Sequence, residues 1–313
     1  MSDFYTANLV LIQSTFIGIL LALSVQVPMR AGVFSFAGAG SYGIGAYVAA
    51  ITVLKTGMPA GLAVIVGGLV AMVISLLLGL IVARLTGLYL AMSTVSFDLI
   101  VSVIVTNGGE LTGGVTGLFG VLSDISIVHL VAFAVLGVVG VALTERGRVG
   151  RRIDAVRDDP ELAQSVGIDV RRYRLAVFTL SGLLGGVAGA LQSLVRSTIS
   201  PSDIGFGLIV LALTMIIVGG ARSWKGALLG AVIFTWLPPA LAGLGSLQHV
   251  VYGLIVAGAA IFVPGGLYGL VTSAAYRRRR AQRTAPEQPT TEPTEASAVA
   301  LDDLTAKDAG RLR

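Results

Sequence analysis

Few residues in this 313-residue chain could do chemistry, and they are scattered. Asp98 is the one ionisable side chain deep inside a long apolar run. Such a residue is a functional candidate by default, and a buried interhelical hydrogen bond is the comparable alternative. His129 and His249 fall at the ends of apolar runs with no third ligand nearby, so no metal site is expected. Cys is absent, which excludes a disulfide, an iron–sulfur cluster or a thiolate metal site within the chain. No Ser/His, His/Glu or paired-Asp set shares a common depth, so no catalytic residue is assigned. A solute route needs hydroxyl or backbone groups turned toward a cavity. The candidates are Ser35, Thr94, Ser96 and Asp98, with Thr112, Gly113 and Gly114 in a stretch, 106–120, that holds six glycines in 15 residues. That stretch reads equally as a flexible outer loop without solute contact, or as a surface that receives an external protein.

The elements that must position these residues are membrane helices. The chain is 55% hydrophobic with a mean hydropathy of +0.87, and only 12% of residues are charged. Charge is also segregated: 28 of the 39 charged residues fall in 145–174 and 277–313. A soluble fold cannot coat its surface that way, which excludes soluble enzymes, nucleic-acid-binding domains and secreted modules. The net charge of +5 marks loops on the inner side of a membrane rather than a nucleic-acid footprint. About 20 apolar residues cross a bilayer core. Nine candidate runs meet this: 8–28, 33–54, 60–83, 87–106, 127–144, 175–195, 205–221, 226–243 and 249–272. The expected fold is an all-α, polytopic transmembrane bundle, with 33–54 and 205–221 Gly-rich or short enough to be broken or re-entrant. Arg30, Arg84, the arginines of 146–174, Arg222 with Lys225, and Arg277 to Arg280 all lie inside if the N-terminus is outside. Nine spans then put the C-terminus inside. Lys55 and Arg196 are single exceptions. The first apolar run has no basic segment before it and no cleavage site, so it reads as a span rather than a signal peptide.

Glycine is the other signal, at 41 residues. Gly182, Gly185, Gly186 and Gly189 make two overlapping GxxxG spacings, which put small residues on one helix face. Helix packing is the favoured reading and a pathway role the alternative. Gly226 and Gly230 repeat the spacing. A faint internal echo links Gly43 to Ala46 with Gly226 to Ala231.

The stretch 145–174 carries the signals of a short helix. Asp159 can cap it, Pro160 suits its first position, Glu161 complements its dipole and Gly167 can end it. Two turns do not persist alone in water, so the helix needs a docking surface. The alternative is a solvated loop of inner-side arginines.

Here the sequence resembles a family. Gly150-Arg151, Ala155, Arg157-Asp158-Asp159, Ala163 and Gly167-Ile168 resemble the coupling loop of membrane subunits from Liv-type branched-chain amino-acid ABC importers. The likeness continues through Phe178, Ser181, Gly185-Gly186 and Ala188 to Leu191, through Ser200-Pro201, through Val218-Gly219-Gly220 to Gly230-Ala231, and into Pro264-Gly265-Gly266-Leu267 with Gly269. Toward the N-terminus it includes Gly32, Ser35, and Gly43 to Tyr47. Gly87 to Thr94 and Leu111 to Leu118 favour the M-type subunit over the H-type. The resemblance covers about residues 9–272. Two departures stand out: Ala37-Gly38 replaces the family's Gly-His, and the loop has Pro160 and Asp154 where Glu and Arg are common.

The resemblance implies a permease domain over 1–276, with a coupling loop at 145–174 that rests in a groove of a separate ATPase subunit. Gly150, Arg151, Arg157, Asp158, Asp159, Glu161, Ala163 and Gly167 are its candidate contacts. It also implies a second permease subunit, homologous or identical, an extracytoplasmic solute-binding protein, and a bacterial or archaeal plasma membrane. ATP and Mg would bind the partner, because this chain has no G-x-x-x-x-G-K-[ST] phosphate loop. No cofactor in this chain and no nucleic acid is expected. Residues 277–313 should be a basic anchor at the anionic inner leaflet, followed by a disordered tail. The competing functions are an ion-coupled secondary carrier and a sugar- or nucleoside-type ABC permease.

Overall fold

The computed structural model describes residues 2–262 and 266–269. The helices in chain order are α1 (Ser2–Arg30), α2 (Ala37–Thr56), α3 (Ala60–Val82), α4 (Gly87–Thr106), α5 (Ile127–Thr144), α6 (Gly147–Asp158), α7 (Pro160–Ser165), α8 (Val170–Arg196), α9 (Phe206–Gly219), α10 (Trp224–Ala240) and α11 (Gln248–Phe262). Two short strands, β1 (Leu118–Phe119) and β2 (Thr198–Ile199), pair antiparallel with Leu118 opposite Ile199. They pin the Gly-rich segment after α4 to the end of α8.

The chain is an all-α polytopic bundle. Among the described residues, seven helices are long and apolar enough to cross a membrane: those from α1 to α5, then α8, and α9 with the turn before it. The expected run 226–243 corresponds to α10, which has 17 residues and carries Pro238 and Pro239 in its last turn. The run 249–272 corresponds to α11, described to Phe262. The end of that run, Pro264-Gly265, the Arg277 to Arg280 anchor, the tail 281–313 and the boundary at 276 lie outside the described residues.

Local boundaries differ from the sequence reading for identifiable reasons. α8 starts at Val170, five residues early, because Asp169 caps it: the Arg172 N–H donates to Asp169 Oδ1 at 3.1 Å. α2 begins at Ala37 rather than 33, after a turn closed by the Val33 N–H donating to the Pro28 carbonyl at 2.9 Å. The segment 147–158, read as loop, is the helix α6. Val149, Ile153 and Val156 sit on one of its faces at three- and four-residue spacing.

α8 is the centre of the bundle and packs against α2, α3 and α1. Two buried hydroxyls tie it to its neighbours. Ser181 Oγ donates to the Ser24 carbonyl of α1 at 2.6 Å, and Ser75 Oγ of α3 donates to the Phe178 carbonyl at 2.8 Å. The periphery is apolar instead. Leu62, Ile65, Leu69, Val73 and Leu77 of α3 are exposed, as are Val128, Val135, Leu136 and Val139 of α5. A contiguous apolar exterior over polar ties in the interior suits hydrocarbon as the surrounding solvent.

Candidate functional site

The segment from Glu145 to Asp169 folds as a helix pair held against one end of the bundle. α7 is built as its residues suggest. Asp159 Oδ1 accepts from the Glu161 and Leu162 N–H groups at 3.0 and 2.9 Å, and Pro160 takes the first turn. Gly167, at φ +83°, ends it, and the Ile168 N–H reaches back to the Ala163 carbonyl at 3.0 Å. Ala163 is buried with Val156 of α6, Val170 of α8 and Ile168, which gives the short helix a small apolar footing.

α6 is moored by charge. Arg30, at the end of α1, lies 3.6 Å from both Glu145 and Asp154. Arg157 pairs with Asp154 at 3.9 Å and grips Asp158 Oδ1 through Nε and Nη2 at 2.9 and 2.8 Å. Its stem also covers Gly32, where a Cβ would come within 3.2 Å of the Arg157 Cα. Gly150 is buried, and a Cβ there would overlap the Glu145 carbonyl. Of the candidate contact residues, Arg157 and Asp158 therefore engage partners within the chain, and the Asp159 carboxylate caps α7. Arg151, Glu161 and Gly167 are exposed, and Ala163 faces inward. Sequence reasoning did not single out Leu162 on α7 and Val166 at its C-cap, which stand 62% and 68% exposed. Their four-residue spacing on a capped helix was the available signal.

The pathway candidates separate into three places. Ser35 and Thr94 meet at the start of α2. The Phe36 N–H donates to Thr94 Oγ1 at 3.1 Å, and the Ala37 N–H donates to Ser35 Oγ at 3.3 Å. One turn further along α4, Asp98 is buried against α2, and its Oδ1 fills the space that a Cβ on Gly40 would take. Neither carboxylate oxygen finds a hydrogen-bond partner within ordinary geometric limits among the described residues. Ser96 points away from this set, exposed, with its hydroxyl donating to the Met92 carbonyl at 2.9 Å. Thr112 is buried at the far end of α4, where its hydroxyl donates to the Val105 carbonyl at 2.7 Å. Gly113 and Gly114 follow it with φ of +74° and +57°. His129 accepts at Nδ1 from the Ser126 N–H at 3.3 Å. Among the described residues no group of three or more potential ligands could hold a metal ion.

The four glycines of α8 alternate between two neighbours. Gly185 meets Gly38 and Gly189 meets Tyr42, both backbone to backbone with α2. Gly182 meets Ser75 and Gly186 meets Ala71, both on α3. A methyl group at any of the four would overlap the facing atom.

Comparisons with known proteins identify the family. The family model described as branched-chain amino acid transport system / permease component matches residues 8–263. The chain is 29% identical over 254 residues to the high-affinity branched-chain amino acid transport system permease protein LivM of Escherichia coli (strain K12), covering 70% of this chain and 60% of that protein. It is also 29% identical over 284 residues to the probable branched-chain amino acid transport permease protein LivH of Methanocaldococcus jannaschii, covering 80% of this chain and 88% of that one. The xylose transport system permease protein XylH of Escherichia coli (strain K12) is 33% identical over 137 residues, which are 41% of this chain and 34% of that protein. The chain thus spans about 60% of the length of the LivM relatives it matches. No solved structure gives a significant match. The matched stretch runs from the first membrane helix through the α6–α7 pair to the end of α11, and on that extent the chain belongs to the branched-chain amino acid transport system permease family.

Proposed function

We propose that this chain is the membrane-spanning permease subunit of an ATP-binding-cassette importer. Its cargo would be branched-chain or other hydrophobic amino acids, or a related small polar solute such as urea or an amide. The observation that carries this reading is the α6–α7 pair. Ion pairs anchor it to the end of α1, while Leu162 on α7 and Val166 at its C-cap stay uncovered. A stiff, moored helix with a free apolar edge suits a lever worked by another protein. The subunit itself makes and breaks no covalent bonds. A partner ATPase binds ATP and Mg, and its closure pushes α7. A second permease subunit completes the route, and an extracytoplasmic solute-binding protein delivers the solute. The setting is the plasma membrane of a bacterium or archaeon.

The topology that fits is nine spans with the N-terminus outside. The ends of α1, α5 and α9, the start of α10 and the α6–α7 pair then share the inner side with most arginines. On this reading Ser35, Thr94 and Asp98 border the solute route where α4 meets α2. Asp98→Asn keeps the side-chain shape and removes its charge. It should leave the folded protein level unchanged and lower uptake about tenfold, equivalent to about 1.4 kcal/mol of barrier. Undiminished uptake takes Asp98 out of the route.

The experiment that tests the function is recovery of the tagged chain from native membranes in mild detergent, with its companions identified by mass spectrometry. An ABC ATPase and a solute-binding protein should co-purify, and the bound solute names the cargo. Recovery without any ATPase, under conditions that hold a control ABC complex together, overturns the reading. Transport that survives ATP depletion and collapses with an ion gradient replaces it with a secondary carrier.

A further inference from the structure

Glu145 stands at the joint between α5 and α6, and its carboxylate holds several elements at once. Oε1 accepts from the Trp224 N–H at 2.7 Å and from Gln26 Nε2 at 3.3 Å. Oε2 accepts from the Ser223 hydroxyl at 3.3 Å. Arg30 Nη1 lies 3.6 Å from Oε1, and the two charged side chains are only 12% and 9% exposed. Ser223 caps α10 and Trp224 is its first residue, so the carboxylate sits on that helix's first N–H, where negative charge is favoured. Gln26 also donates to the Ala221 carbonyl at 3.3 Å, which ties α1 to the α9–α10 turn. On the other side, Arg30 continues to Asp154 of α6. A buried, fully engaged carboxylate is costly to strip of one partner, so such a joint tends to move as a unit.

A second observation concerns room to move. An open-sided cavity of about 110 Å³ lies where α6 meets the bundle. Its walls include Val149 and Ile153 of α6, Val141 and Thr144 of α5, and Val177 and Leu180 of α8. α6 is therefore held closely at its Glu145 end, tethered nearer its other end by the more exposed Arg30–Asp154 pair and by Arg157 against Gly32, and loosely backed along Val149 and Ile153. That combination makes a pivot.

We propose that Glu145 is the positioning residue through which α6 drives α10 and α1. A push on the α6–α7 pair tilts it over the cavity, and the Glu145 contacts carry the first turn of α10 with it. This rests on the permease reading above and adds the element that transmits the stroke.

The chain contains no Cys, so introduced labels are unambiguous. Spin labels at Arg148→Cys on α6 and Lys225→Cys on α10 occupy exposed positions. The distance between them is measured within one labelled permease subunit of the full complex in lipid discs. One state is nucleotide-free, and the other is held with ATP and Mg by a hydrolysis-deficient ATPase. With Glu145 intact, the separation should be the same in both states. With Glu145→Gln it should differ between them. In the same variant with the native ATPase, solute moved per ATP should fall about tenfold, a usual size for a coupling energy, at an unchanged hydrolysis rate. Glu145→Asp should recover part of the yield. Ser223→Ala removes one contact and keeps the buried charge paired. It should shift both readouts the same way by less, and it decides the case if the Gln variant does not assemble. A separation that stays constant in the variants, or an equal loss of hydrolysis and uptake, overturns the pivot and leaves the permease reading standing. A native complex with no ATP-dependent uptake overturns both.

Discussion

Gly189→Leu should prevent the bundle from assembling. The Cβ of any side chain at 189 overlaps the Tyr42 carbonyl oxygen and comes 2.7 Å from its carbon and 3.0 Å from its Cα. These are backbone atoms of α2, so no rotamer change relieves the clash. α2 and α8 would have to separate along their whole contact, taking Gly185 off Gly38 and Gly186 off Gly45. Overpacking against adaptable side chains already costs about 1–3 kcal/mol. Against rigid backbone the cost lies at or above that range, within reach of the roughly 5–15 kcal/mol that holds a typical domain together. The measurement is the monodisperse fraction on size exclusion after detergent extraction, with a thermal melt of what survives. Gly140→Leu is the control, because nothing lies within 4 Å of a Cβ there. It should melt with the parent. An unshifted melt for Gly189→Leu would falsify the close α2–α8 approach.

That seam shows what the sequence could and could not tell. The spacing of Gly182, Gly185, Gly186 and Gly189 marks a face for close approach, but spacing alone does not say which helix approaches. The face is in fact two seams, with Gly185 and Gly189 on α2, Gly182 on α3, and Gly186 between them with its Cα toward Ala71 of α3 and its carbonyl toward Gly45 of α2. α7 was legible because its signals are local: a capping Asp, a first-turn Pro and a terminal Gly lie within nine residues. α6 was not, because Arg148, Arg151 and Arg152 dilute its apolar face and Arg146 offers no capping oxygen. Among the pathway candidates, helical phase was available but unused. Thr94 and Asp98 are four apart and share the buried side of α4, while Ser96, two from each, turns away. Glu145 had no local signal at all. Its partners Gln26 and Ser223 lie 119 and 78 residues away, and only the folded chain brings them together.

Leu162→Glu with Val166→Glu should abolish recovery of the ATPase while leaving the permease folded. The two side chains lie four residues apart, one on α7 and one at its C-cap, and both are largely exposed. Ala163, the residue that roots α7, is buried against Val156 and Val170 and is untouched. The Asp159 cap, the Gly167 terminus and the buried Ala163 footing hold the helix within this chain. Covering a Leu and a Val in a docking groove is worth about 2 kcal/mol each, so losing both costs about 4 kcal/mol. That is roughly a thousandfold in Kd, before the added cost of desolvating two carboxylates. Arg157→Glu is the less clean probe. Arg157 is committed to Asp154, to Asp158 and to the turn at Gly32, so its reversal loosens the seat of α6 before it touches any partner. The check is quantitative recovery of the ATPase with the tagged permease, beside an unchanged melt of the permease alone. Full recovery with the double Glu variant would move the contact off the apolar edge and onto the exposed arginines 148, 151 and 152 of α6. Binding through those side chains would weaken steeply with salt, whereas binding through Leu162 and Val166 would not. A salt titration of the native complex therefore separates the two faces of the lever before any residue is changed.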